Sequence, residues 1–190
     1  MKRLLFNLRA SFTLLLLMTL LLGGAYPLLV TIVGQAVFRH RANGSLIERA
    51  DAVRGSTLLG QEFTDQAYFW GRLSATTPAY NPSASGGSNF NPGNPKLLEA
   101  ANARIAALQK ADPSNKALIP VDLVTASASG LDPHISIAAM LYQLPRVAKA
   151  RKMSEDAVRA LADKAMERPI AGFGMAFVNV VKLNMALDEK

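Results

Sequence analysis

The sequence predicts an α+β soluble domain anchored by a single N-terminal transmembrane helix. Three observations lead to this prediction. An uncharged apolar run fills positions 10–38, close to the N-terminus. Beyond it, several segments combine a capping residue with apolar side chains at helical spacing, a pattern typical of amphipathic helices. Between them lie short apolar stretches bounded by glycine or small residues, which favour strands.

Residues 11–34 are predicted to form the transmembrane helix. About 20 apolar residues are needed to cross the roughly 30 Å hydrocarbon core of a bilayer, and this run is long enough. The alternative is a cleaved signal peptide, whose apolar region has only about 7–15 residues. Gly23, Gly24 and Pro27 interrupt the run and are tolerated where neighbouring helices satisfy the loosened backbone. We therefore expect an uncleaved helix that packs against partner helices.

The charges on either side of this run indicate its orientation. Three basic residues precede it within residues 1–10, and Arg39 and Arg41 follow it. The positive-inside rule therefore favours a cytoplasmic N-terminus, and long trailing domains cross largely regardless of their charge. We expect residues 39–190 to form one α+β domain on the outer side of the membrane.

Composition limits the chemistry of this chain. There is no cysteine, which removes disulfides, thiolate metal sites and cysteine nucleophiles. The two histidines, His40 and His134, are too few for a histidine-rich metal site, so no metal ligand is predicted. The net charge of +7 comes from scattered basic residues without a basic tract or recognition motif. Nucleic-acid binding is therefore not predicted.

Three apolar stretches of the domain are assigned in chain order. GSTLLGQEF, residues 55–63, is predicted to be a short strand or an extended piece bounded by glycines. DQAYFWGRL, residues 65–73, holds the only tryptophan and is predicted to be a buried helical turn. PVDLVTASAS, residues 120–129, is predicted to be a buried strand that runs into small residues.

Residues 75–95 are predicted to form an irregular loop. Pro, Gly, Ser and Asn occupy 14 of its 21 positions, which favours turns. A flexible linker is one interpretation of such a composition. However, Tyr80 and Phe90 are unusual in a linker, and loops beyond about 12–15 residues in compact domains tend to be functional or disordered. We expect an ordered surface loop that contacts a partner.

Three helices are predicted in the domain. Asn94 can cap, and Pro95 can start, a helix that closes before Asp112. Ser154 can cap a second helix whose first turn is acidic, as the helix dipole favours. A C-terminal helix, whose β-branched start could be extended, follows a predicted turn at GFG, residues 172–174. The three apolar faces are Leu97, Leu98, Ala101, Ile105 and Leu108; Val158, Leu161, Ala162 and Ala165; and Val180, Leu183 and Leu187.

The stretch VTASASGLDPHIS, residues 124–136, has a structural and a catalytic interpretation. As a joint, Gly130 turns the chain, Asp132 caps a helix and Pro133 starts it. As a catalytic site, it lacks the G-x-S-x-G elbow of hydrolases, and nothing in its spacing places a base next to a nucleophile. It also lacks both glycine-rich phosphate-binding motifs. We predict a joint followed by a helix that Pro145 kinks or splits.

Several motifs together resemble a known family. They are GSTLLGQEF, YFWGRLSA, YNPSASGGSN, the 124–136 stretch, QLPRVAKAR and VNVVKLNMAL, and they span nearly the whole chain in order. With the N-terminal apolar run, they resemble the C subunit of the bacterial high-affinity potassium-transporting P-type ATPase, the Kdp complex.

This resemblance implies a non-catalytic accessory subunit of an ATP-driven K⁺ import complex in the bacterial inner membrane. The implied partners are an ion-selecting subunit, an ATP-hydrolysing subunit and the lipid bilayer, with the C-terminal domain in the periplasm. The implied role is assembly and stability of the complex, together with a raised ATP affinity of the pump subunit. By resemblance alone, Gln143 is a candidate nucleotide contact.

Two alternative functions are open on the same residues. In the first, the domain binds nucleotide directly through Gln143 and the turn at residues 130–136, although no phosphate-loop motif supports an autonomous site. In the second, the chain is an exported, membrane-anchored hydrolase that uses Ser127 or Ser129.

Overall fold

The structure is a computed structural model that describes residues 2–49, 52–169 and 174–189. It divides into an N-terminal unit, residues 1–46, and a domain, residues 47–190. The predicted α+β class is confirmed, since one long apolar helix precedes a domain of short strands and helices.

The N-terminal unit is almost entirely helical. Its elements are α1 (Lys2–Leu20), a π-helical segment (Leu21–Ala25), α2 (Tyr26–Val37) and α3 (Arg39–Ala42). Between Arg3 and Val37 the helix is long and apolar enough to cross a membrane, judged by length and composition. Its large apolar side chains are exposed rather than packed within the chain. Such a helix fits a single-pass membrane protein.

The chain continues through short strands and longer helices. These are β1 (Leu46–Arg49), β2 (Ala52–Ser56), α4 (Pro95–Ala111), α5 (Val121–Val124), β3 (His134–Ser136), α6 (Ile137–Arg151), α7 (Glu155–Lys164), β4 (Met166–Glu167), β5 (Phe177–Asn179) and α8 (Val180–Leu187). A 3₁₀ turn, Pro82–Ala84, lies in the long loop before α4.

A small antiparallel sheet organises the C-terminal half of the domain. Its strand order is β3-β5-β4, and β1 and β2 form a separate two-stranded sheet. Ile135 lies opposite Val178, and both side chains are buried. Because β3 and β5 are antiparallel, α6 and α8 leave the pair at opposite ends. The sheet therefore fixes where both helices begin.

One apolar core joins these elements. It combines aromatic residues from the segment after β2 with aliphatic residues of α6, α7 and α8. Its members that are at most 2% exposed include Phe69, Leu108, Leu123, Ile135, Met140, Leu144, Val147, Val158, Val178, Leu183 and Leu187. Each of the three predicted helical faces contributes to it.

The three capped helices are confirmed. The Asn94 side chain accepts a hydrogen bond from Lys96 N, and that of Ser154 accepts one from Ala157 N. In α8 the extended start is also confirmed, because β5 precedes it and Asn179 caps it. Leu98 departs from its predicted buried face and is 63% exposed. Of the predicted GFG turn, residues 172 and 173 lie outside the described residues.

Two predictions for the start of the domain hold only in part. Only the first two residues of the predicted strand 55–63 lie in β2, and the remainder is irregular. Residues 65–73 contain no helix, although Phe69 and Trp70 are buried as expected. In a helix, the backbone N–H groups of Phe69 and Trp70 would bind carbonyls of the same segment. Here they bind the side chains of Asn184 and Gln143, which belong to other helices.

The predicted strand at residues 120–129 is wrong. The segment begins with the short helix α5, and only Ala126 pairs, in an isolated parallel bridge with Leu73. The carboxylate of Asp122, in the first turn of α5, accepts hydrogen bonds from both the backbone N–H and the hydroxyl of Ser136. This contact holds the segment in a short turn against β3.

The predicted start of α6 is shifted by four residues. Gly130 turns the chain with a positive φ of 67°, as expected. However, residues 134–136 form β3 instead of a first helical turn, and Ser136 is the cap, accepting from Ala139 N. Asp132 instead accepts from His134 N within the turn. Pairing with β5 therefore overrides the helix-start signal of Asp132 and Pro133.

Pro145 does not split the helix that follows. α6 runs from Ile137 to Arg151 with Pro145 inside it. Proline removes the backbone hydrogen bond to the carbonyl of Leu141, and both residues are exposed. Water can therefore satisfy the freed carbonyl, and the helix continues.

Candidate functional site

The core segment, residues 65–73, runs through the domain interior outside any helix or strand. Gln143 of α6 accepts from Trp70 N at 2.9 Å and donates to Trp70 O at 3.1 Å. Asn184 of α8 accepts from Phe69 N and donates to Phe69 O, both at 2.9 Å. Buried backbone groups need partners. Two side-chain amides here supply what a neighbouring strand would otherwise provide.

Arginines bind four further carbonyls of the core segment. Arg146 donates to Gln66 O and Tyr68 O, Arg151 to Ala67 O and Arg104 to Gly71 O. A guanidinium group carries five N–H donors in a fixed plane, which suits several carbonyls at once. The path of this irregular segment is therefore set by side chains from α4, α6 and α8.

Two of these arginines lie over the ring of Trp70. The guanidinium carbons of Arg146 and Arg104 are 4.8 and 4.9 Å from the centre of its ring. Both arginines donate to neutral acceptors, and burial lowers the pKa of each, to about 10 for Arg146. Cation–π contacts compensate part of the cost of burying the charge.

The anchored loop, residues 74–87, begins where the core segment ends. The Tyr80 hydroxyl donates to Arg72 O at 2.6 Å, and its backbone N–H donates to Ser74 Oγ at 3.0 Å. A Cβ at Gly71 would lie 2.5 Å from the Tyr80 hydroxyl, so glycine is needed there. Burial raises the pKa of Tyr80 to about 12.

The far side of the anchored loop is fixed to the 124–136 stretch. Gly86 N and Ser85 Oγ both donate to Ser129 O, at 2.9 and 3.0 Å. Residues 82–86, which follow the attachment at Tyr80 and include the attachment to Ser129 O, are exposed to solvent. Tyr80 is the aromatic anchor of this part of the loop, and its contact with a partner stays a prediction. The arrangement presents a fixed polar surface to the surroundings.

The joint at residues 130–136 is held by Asp132. Its Oδ1 lies 3.2 Å from His134 Nδ1, and its Oδ2 accepts from Arg72 Nη1 at 3.2 Å. Burial raises the pKa of this carboxyl, but the hydrogen bonds from His134 and Arg72 outweigh burial and the pKa falls. The joint is therefore tied directly to the core segment.

The structure places Gln143 away from any surface. The side chain is 1% exposed, and every hydrogen-bonding position of its amide has a protein partner. A nucleotide contact needs an accessible donor or acceptor. Direct contact with a nucleotide would therefore require Gln143 to leave these protein partners, and the predicted nucleotide contact stays a prediction.

The described residues do not form the site that a hydrolase or a bound metal ion would need. Among the described residues, neither Ser127 nor Ser129 hydrogen-bonds to His134, whose ring nitrogens face Asp132, Glu167 and Asn179. The described part of the chain also contains no group of three or more His, Asp or Glu residues that could hold a metal ion.

Sequence reasoning missed Asn184 and the arginines that bind the core segment. A signal existed for Asn184, because it lies at the buried helical spacing of Val180, Leu183 and Leu187. A polar side chain at such a position needs a buried partner. The sequence does not say which backbone provides that partner.

The fold and this site define a class: a protein with one N-terminal apolar helix that fits a single membrane span, followed by an α+β domain built on a segment held by side chains. A family model for KdpC, the c chain of K⁺-transporting ATPase, matches residues 8–189. The chain belongs to this family, which confirms the resemblance seen in its motifs. It is therefore a subunit of a potassium-transporting ATPase.

Individual relatives agree along nearly the full length. The potassium-transporting ATPase KdpC subunit of Polaromonas naphthalenivorans is 56% identical over 183 residues, covering 95% of this chain and 93% of its own. That of Methylibium petroleiphilum is 56% identical over 185 residues, covering 96% and 97%. That of Ralstonia nicotianae is 53% identical over 184 residues, covering 96% and 90%.

Proposed function

We propose that this chain is a non-catalytic accessory subunit that assembles and stabilises an ATP-driven K⁺ import complex. Its partners are the ion-selecting and ATP-hydrolysing subunits of that complex. The observation that carries the proposal is the anchored loop, residues 74–87. Hydrogen bonds to Arg72 O and Ser129 O attach it to the domain, while residues 82–86 are exposed. A surface held in one conformation loses little entropy when a partner binds.

The proposed arrangement has one membrane helix and an outer domain. Residues 11–34 span the inner membrane, residues 1–10 are cytoplasmic, and residues 39–190 lie in the periplasm against the ion-selecting subunit. The basic residues before the span support this orientation. A C-terminal reporter that is active only outside the cytoplasm tests it, and an inactive reporter on a correctly inserted chain would contradict it.

The same role includes a higher affinity of the ATP-hydrolysing subunit for ATP. The family resemblance supports this part of the proposal, and an outer domain acts on cytoplasmic ATP only through the membrane helices or partner subunits. The direct-binding alternative gains no support from the buried Gln143. A complex that lacks this chain but keeps an unchanged ATP half-saturation would contradict the affinity effect.

The docking role is tested with Ala84→Trp in the full transport complex. Ala84 lies in the exposed 3₁₀ turn, so a bulky side chain there obstructs a partner without entering the core. We expect partner recovery in detergent to fall at least fivefold. Ala107→Trp, on an exposed position of α4, is the matched control and should leave recovery unchanged. Equal recovery from both variants would refute docking through this loop.

A further inference from the structure

The amide of Gln143 has no hydrogen-bonding capacity left for a ligand. An amide side chain offers two donor hydrogens and two acceptor lone pairs. Oε1 accepts from Trp70 N and from Arg146 Nη2, both at 2.9 Å. Nε2 donates to Trp70 O at 3.1 Å and to Ala139 O at 3.3 Å. All four positions are therefore occupied by the protein itself.

Asn184 repeats this arrangement on the adjacent residue of the core segment. Its amide binds both the N–H and the C=O of Phe69 from α8, as Gln143 binds those of Trp70 from α6. Both amide side chains belong to residues only 1% exposed. In a β-ladder, one residue likewise exchanges both of its backbone bonds with one partner. The two side chains thus perform the same task at consecutive positions.

We propose that Gln143 and Asn184 form one amide clamp that positions the core segment and, through it, the anchored loop. Gln143 is then a positioning residue and not a nucleotide contact. The effect on docking rests on the proposed function of the loop, whereas the clamp itself rests only on the contacts described here.

A continuous series of contacts connects the clamp to the loop. Trp70, held by Gln143, is followed by Gly71, whose carbonyl binds Arg104. Arg72 comes next, and its carbonyl accepts from the Tyr80 hydroxyl, which fixes the loop. Removing either amide leaves the backbone N–H and C=O of one buried residue unpaired. The core segment then moves to reach water, and the attachment of Tyr80 moves with it.

Isosteric variants test the clamp in the full chain. Gln143→Met and Asn184→Leu keep side-chain volume and remove the amide. We expect amide hydrogens of residues 65–73 and 74–87 to exchange at least tenfold faster in both variants, while α7 keeps its protection. Unchanged exchange in Gln143→Met would overturn the clamp. If either variant does not fold, Gln143→Glu and Asn184→Asp replace them, because each keeps an acceptor oxygen and loses the amide N–H donors while placing a carboxyl group at the buried position.

The ATP half-saturation of the assembled complex separates positioning from nucleotide contact. Asn184 serves as the matched control, since it has the same task and no implied connection with nucleotide. We expect the Gln143 and Asn184 variants to agree within twofold. A rise of more than fivefold for Gln143 alone, with equal exchange in both, would overturn the proposal.

A failure of the docking role and a failure of the clamp give different combinations of results. If exchange in the loop accelerates in both variants but partner recovery stays normal, the clamp is supported and docking through the loop is refuted. If exchange stays unchanged, the clamp is refuted, and the Ala84→Trp result still decides on docking.

Discussion

At the scale of single residues, Asp132 connects the joint at residues 130–136 to the core segment. One oxygen accepts from the backbone of His134 and the other from the guanidinium of Arg72. Its pKa lies below the usual value of 3.8 because these hydrogen bonds outweigh the effect of burial. The ionised form is thus favoured in the folded state. This contribution to stability is present above pH 3.8 and is lost as pH falls through the lower folded-state pKa.

Replacing Asp132 with Asn should therefore destabilise the domain in a pH-dependent way. We expect a loss of about 1 kcal/mol at pH 7, modest because the side chain is partly exposed. The difference from the unmodified chain should shrink as pH falls from 3.8 through the lower folded-state pKa of Asp132. Denaturant unfolding of the full chain in detergent, followed by Trp70 fluorescence, measures it.

The control for this prediction is Asp163→Asn, an exposed position of α7. Surface changes of this kind stay within about 0.5 kcal/mol. A loss for Asp132→Asn that is independent of pH between 7 and 3 would show that the carboxylate charge is not what stabilises the joint.

At the scale of elements, local signals explain which predictions held. Asn94 and Pro95 start α4 because cap and first turn are adjacent in sequence. Asp132 and Pro133 carry the same signature and fail, since residues 134–136 pair with β5, more than 40 positions away in the chain. Helix caps can thus be predicted from a short window, whereas the competing strand cannot.

The candidate site was predictable only in part, for the same reason. Gln143 entered through the family resemblance, and Asn184 could have been suspected from its place on an apolar helix face. Their partners are 73 and 115 residues away in the sequence. An irregular segment has no periodicity that reveals such partners. The sequence alone therefore predicts a helical turn at residues 65–73.

Two serine caps provide a test at this scale. Ser154 caps α7 only, whereas Ser136 caps α6 and also donates to Asp122, which joins α5 to β3. Loss of a cap costs about 1 kcal/mol. We expect about that loss for Ser154→Ala and about 2 kcal/mol for Ser136→Ala, measured by denaturant unfolding of the full chain. Equal losses would mean that the bond to Asp122 adds nothing to the cap.

At the scale of the whole molecule, the chain combines a domain with its own core and a helix whose large apolar side chains are exposed in the described structure. Lipid can cover most of such a helix. The π-helical segment Leu21–Ala25 is different, because it places Gly23 and Gly24 in a widened turn. Small residues let membrane helices approach closely, and π-helical turns are frequent at functional sites. This segment is therefore the expected contact with a partner helix.

Gly24→Leu tests this contact without disturbing the chain itself. Apart from its chain neighbours and the backbone of its own helix, a Cβ added at Gly24 meets no described atom within 4 Å, and leucine favours a helix more than glycine does. We expect the variant to insert normally while recovery of partner subunits in detergent falls at least fivefold. Ala10→Leu adds comparable bulk to an exposed position of α1 and should leave recovery unchanged. A leucine at a close helix–helix contact would push the two helices apart. Full recovery of partner subunits with Gly24→Leu would therefore place the partner contact elsewhere on the helix.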